Sequence, residues 1–102
     1  MTAPIPTFRG DTFDQQAAYY GDDGQPASLV GVTVTAWVKT RDAQVPVTTL
    51  VTSAALGQFA LRIEESVTAT IPFGIWPLFV RYVAAGDTRT EQAARVAFRD
   101  AA

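Results

Sequence analysis

Apolar and polar side chains alternate with a period of two along most of this chain, and Gly, Pro and Asp interrupt the alternation at short intervals. The clearest run is Val32 to Thr40, in which Val32, Val34, Ala36 and Val38 alternate with Thr33, Thr35, Trp37 and Lys39. A period of two places successive side chains on opposite faces, so this run predicts a strand with the first set turned to a core. Gln58 to Glu64 repeats the pattern, with Phe59, Leu61 and Ile63 inward. Thr12 to Tyr20 predicts an earlier strand with Phe13, Ala17 and Tyr19 on one face. Val45 to Thr52 is rich in Val and Thr, which suit a pleated, half-buried surface, and Pro46 marks its beginning or an edge. Ile75 to Ala84 offers two apolar sets, Trp76, Leu78, Val80 and Tyr82 or Ile75, Phe79, Arg81 and Val83. Either could face inward, and Pro77 argues for a local bulge. From Arg89 to Phe98 the residues Glu, Gln, Ala and Arg favour a helix by intrinsic preference. The surrounding β pattern decides for a strand.

Two segments fall outside the alternation. Ser66 to Phe73 predicts a single helical or 3-10 turn crossing between layers, closed by Gly74, which can take positive φ. The opening TAPIPT is extended by its prolines, which gives an amino-terminal arm over about residues 1–8. The elements sum to a single all-β domain over residues 1–102, with six or seven strands and one short helical crossing. Strands of this length joined by tight turns predict two antiparallel sheets packed face to face, an immunoglobulin-like β-sandwich.

Composition narrows the chemistry. The chain has no Cys and no His. No disulfide, thiolate metal site or cysteine nucleophile can be built, and the commonest general base and transition-metal ligand are missing. The net charge of −2 gives no overall basic footprint for a nucleic-acid backbone. No signal peptide is visible at MTAPIPTFRG, and no apolar stretch reaches the roughly 18 residues of a membrane span. With 48% hydrophobic and only 18% charged residues, the sequence predicts apolar surface left over for a subunit interface.

Candidate sites reduce to surface features on inspection. Asp22 and Asp23 in GDDGQP could ligate calcium, but Asp11 and Asp14 lie on the preceding strand and do not complete the ligand spacing. The run reads instead as the turn between two strands. Arg9-Gly10-Asp11 matches an adhesion tripeptide but runs directly into a strand. Glu64 and Glu65 are adjacent, so on a continuing strand they point to opposite faces and cannot share a proton. A serine or threonine nucleophile would have only Lys39 or a carboxylate as base, and Lys39 sits on the polar face of its strand. No catalytic, metal or cofactor residue is assigned, and the chain reads as a non-enzyme. Trp37, Trp76, Tyr19, Tyr20 and Tyr82 could form a sugar-binding platform. Trp37, on the polar side of its strand, is the strongest contact candidate among them.

The order of motifs carries a resemblance. RGDTF at Arg9 to Phe13, the acidic turn GDDGQP, SLVG at Ser28 to Gly31 and the V-x-V-x-A strand follow one another in the first half. Gly57-Gln58-Phe59 with Leu61 and the run VTATIPFG from Val67 to Gly74, with Trp76 two residues on, follow in the second. This order resembles the small Ig-like domains of tailed-phage structural proteins over roughly residues 9 to 98. It is most similar to the amino-terminal module of phage baseplate upper proteins and to stand-alone tail or neck proteins. The chain departs from the pattern at Ser28, Val30 and Phe79. The resemblance implies a virion structural protein, made in the bacterial host cytoplasm and carried on the virion. Its partners would be other virion proteins, in a homo-oligomer or other symmetric assembly, with no nucleic acid, membrane or cofactor. The interface residues expected are Pro4, Ile5, Pro6, Phe8, Tyr20 and Trp37, with strand addition by the proline-rich arm or the carboxyl-terminal tail as a further contact. The alternative is a receptor- or carbohydrate-binding accessory module displayed on the particle.

Overall fold

A computed structural model describes residues 3–21 and 23–100. The seven strands are β1 (Ile5–Phe8), β2 (Phe13–Ala18), β3 (Thr33–Lys39), β4 (Gln44–Ser53), β5 (Gln58–Ile63), β6 (Gly74–Ala84) and β7 (Asp87–Arg99). One helical turn, α1 (Glu65–Thr68), joins β5 to β6. The all-β expectation, the short crossing and the strand at the end of the chain all hold. The crossing starts one residue early, at Glu65, and Gly74 opens β6 with φ +143°.

The arrangement differs from two separate antiparallel sheets. The strands form one mixed sheet in the order β1-β7-β6-β3-β4-β5-β2, curled until it is nearly closed like a barrel. Two features produce this. β4 changes partner along its length, pairing with β3 through Val47 and with β5 from Thr48 onward, so it stitches the two halves together. β1 pairs parallel to β7, Ile5 opposite Val96 and Phe8 opposite Arg99, which makes the sheet mixed. The expected extended arm is therefore laid into the sheet of its own chain from Ile5 onward. Pro46 sits in the half of β4 that is paired on one side only, the edge position anticipated for it.

The inward faces follow the alternation. Phe13, Val38, Phe59, Leu61, Ile63, Leu78, Val80, Val96 and Phe98 are all at most 3% exposed and form one core. On β6 the set containing Trp76, Leu78, Val80 and Tyr82 is inward and the set containing Arg81 is outward. Pro77 is accommodated next to a bulge at Leu78/Phe79, where Ala93 is the extra residue on β7. No described helix is long and apolar enough to cross a membrane.

Candidate interaction surface

The outward face of β1, β7, β6, β3 and β4 carries half-buried Trp37 and Phe79 with exposed Ile75, Pro6 and Phe8, while Tyr20, Val30, Leu56 and Phe73 are exposed elsewhere on the surface. Trp37 on β3 lies directly opposite Phe79 on β6 and Pro46 on β4. Its ring stacks on that of Phe79 with centroids 5.8 Å apart and planes at 27°. The Arg81 guanidinium lies 5.0 Å from the Trp37 ring and its Nε donates to Thr90 Oγ1 at 3.1 Å, so the cation is held between a ring face and a hydroxyl. Further along β6, Ile75 is 52% exposed, and it is flanked by Ala97 on β7, which is opposite Pro6 on β1. Phe8, half exposed, ends the face at Arg99.

The residues expected at an interface are thus divided. Pro6, Phe8 and Trp37 share this outer face, with Phe8 three strand spacings across the sheet and about 20 Å along the strands from Trp37, at the opposite end of the face. Ile5 points the other way and packs on the core, and Pro4 is half-buried just ahead of β1. Tyr20 is 54% exposed at the far edge, bridged to Pro26 across the acidic turn. Ile75, Phe79 and Arg81 complete the face and were not singled out from sequence. The signal was present: of the two apolar sets on β6, only theirs contains a charge.

A second feature is the seam where the curled sheet fails to close. β2 and the first part of β7 are edges on either side of a groove of about 550 Å3, lined among others by Ile5, Ala17, Tyr20, Tyr82, Glu91 and Ala94. Tyr82 is buried at its floor, 4.5 Å from the ring of Tyr19. Burial first, and then the negative charge of Glu91, push the Tyr82 hydroxyl well above its ordinary range.

The chemical alternatives weighed on sequence are occupied otherwise. In the acidic turn Asp23 Oδ1 accepts from the Gln25 amide at 3.0 Å and Gly24 N donates to Gly21 O, an ordinary reversal between strands. Asp22 lies outside the described residues. Among the described residues no three metal-ligating side chains converge. Arg9 is drawn to Asp100 at 2.8 Å and to the Ala69 carbonyl at 3.0 Å. Gly10 N donates to Thr68 Oγ1, and that hydroxyl donates to Asp11 O at 2.7 Å, so the Arg-Gly-Asp run is a tethered link between β1 and β2. Glu64 accepts from Arg62, and Glu65 opens α1. Trp76 is turned inward with its Nε1 donating to Pro72 O, and Tyr19 and Tyr82 belong to the seam. The five rings of the supposed sugar platform therefore do not share a face.

No protein-family model matches this sequence, and no curated protein matches it significantly.

Proposed function

We propose that this chain is a non-enzymatic structural protein of a tailed phage or prophage virion, an Ig-like module that docks onto neighbouring tail, baseplate or neck subunits. The observation that carries the docking reading is the stacked Trp37–Phe79 pair on an outer sheet face that also presents Ile75, Pro6 and Phe8. Exposed apolar side chains that are contiguous rather than scattered are the material of protein interfaces. The phage assignment rests on the order of sequence motifs. The strand order supports its Ig-like part: β2, β5 and the second half of β4 would correspond to strands B, E and D, and β3, β6 and β7 to C, F and G, here joined through β4 in one sheet. Many identical contacts in a symmetric assembly would give avidity to a face that binds weakly on its own.

Light scattering on the purified chain, alone and with its particle fraction, tests the docking. Association above the 11.0 kDa monomer is expected, and Trp37→Ala should lower the associated fraction several-fold while leaving the fold intact. Immunogold labelling of particles released from the producing cells should decorate the tail or neck. A monomer indifferent to Trp37→Ala, on particles that take no label, overturns the reading.

A further inference from the structure

We propose that the partner seated on this outer face is an acidic protein surface, one that presents carboxylates on either side of an apolar projection. The inference rests on the docking reading above and adds the chemistry of the partner. Strand register fixes which side chains share the face. Lys39 follows inward Val38, and Arg81 precedes inward Tyr82. Arg95 is opposite Pro77, and Arg99 follows inward Phe98 and is opposite Phe8. Four of the eight Lys and Arg residues are therefore on one side of one sheet. Among the described residues no Asp or Glu has an outward register position there. These four charges leave −6 for the rest of a chain whose total is −2.

The cations are also ordered. Reading across the strands, Arg95, Pro77 and Lys39 make one row, Gln92, Phe79, Trp37 and Pro46 the next, and Thr90, Arg81 and Thr35 the third. Rows of one face are about 7 Å apart along the strands. An aromatic row is thus bracketed by cationic rows, and the Ile75 row is bracketed in the same way by Arg95 and Arg99. Arg81 is pre-positioned by the Trp37 ring and the Thr90 hydroxyl, which reduces the side-chain entropy lost when a carboxylate accepts from its outward N–H groups. The complementary partner carries an apolar side chain over Trp37 and Phe79 and carboxylates about 7 Å to either side. Rings and cations together also suit single-stranded nucleic acid. The −6 carried elsewhere on the chain disfavours a long polyanion, while a partner with a few carboxylates confined to the face escapes most of that repulsion at physiological salt.

The test uses fluorescence anisotropy with three labelled probes: a peptide repeating Glu-Ser-Phe-Ser, which in an extended conformation sets Glu and Phe on one face about 7 Å apart, its counterpart with Lys for Glu, and decathymidylate. The Glu peptide is expected to bind, and to weaken about tenfold with the double variant Lys39→Glu, Arg99→Glu and on raising salt from about 50 to about 500 mM. Lys39 and Arg99 are exposed, so the variant should keep the far-UV circular dichroism of the parent. Absence of binding by the Glu peptide, equal binding by the Lys peptide, insensitivity to the charge reversal, or preference for decathymidylate would each sink the proposal. If Trp37→Ala abolishes assembly with the particle fraction while the charge reversal does not, the acidic partner falls and the docking reading stands.

Discussion

At the scale of single residues, the positions that matter most to the fold are those where the backbone or a polar group has no alternative. Tyr82 is one. Its hydroxyl is protonated in the fold by burial and by Glu91. Because the folded state holds this proton above the pH at which the unfolded chain releases it, the unfolded state binds fewer protons there, and stability falls as pH rises. The loss should begin near pH 10, the ordinary tyrosine value, and approach ~1.4 kcal/mol per pH unit. Urea unfolding at pH 8 to 11 should show that slope, and Tyr82→Phe should flatten it. An unchanged slope in the variant would mean that Tyr82 is not its source. Inward Tyr82 was legible from the alternation, but its neighbour Glu91 was not, because Glu91 lies across a strand pair that a single sequence does not register. Gly57 shows a similar limit. The sequence marks it as the glycine that opens a G-x-F strand, while the fold adds φ +70° and a clash between any Cβ and the Ala27 carbonyl. The long-range contact with Ala27 adds to the positive φ in requiring glycine there.

At the scale of elements, the strands with one fully apolar face and one polar face were read correctly. β3 and β5 place Val38, Leu61 and Ile63 inward as their alternation requires. β6 is ambiguous because both of its faces are apolar, and β1 reads only as an extended arm because its prolines speak only of extension. Its pairing with β7 depends on a partner at the other end of the chain. Docking of β1 has a measurable consequence. Ile5 packs on the core beside Val96, Arg9 N donates to Arg99 O at 2.7 Å, and Arg9 pairs with Asp100. Removing residues 1–8 leaves Arg9 in place but takes away Ile5 and the β1–β7 pairing, and should lower the stability of the isolated chain by about 2 kcal/mol, mostly from Ile5. Thermal unfolding of the shortened chain would check this. An unshifted midpoint would mean that the β1–β7 pairing adds nothing to the stability of the isolated chain.

At the scale of the whole molecule, the curled sheet measures 43 × 24 × 23 Å, and the thirteen residues of β7, at about 3.3 Å each, are long enough to run its length. Closure depends on contacts of great sequence separation, such as Arg9 with Asp100, 91 residues apart. Loop closure of that span is slow to form and gains little until the central strands are in place. β3 and β6 lie in the middle of the strand order and carry fully buried Val38 and Val80, whereas β1 and β2 lie at its two ends and flank the seam. The cheapest local opening should thus be at the seam, with β1 and β2 separating while the centre persists. Native-state hydrogen exchange would then find the amides of Val38 and Val80 opening only with global unfolding, and those of Thr7 and Gln15 opening at several kcal/mol less. Equal protection at all four would mean that the seam is welded to the core. Unequal protection would separate two functions in one small sheet. A rigid patch on β3 and β6 would carry Trp37 and Arg81, while opening of the softer seam would take away β1, and with it the Pro6 and Phe8 end of the outer face.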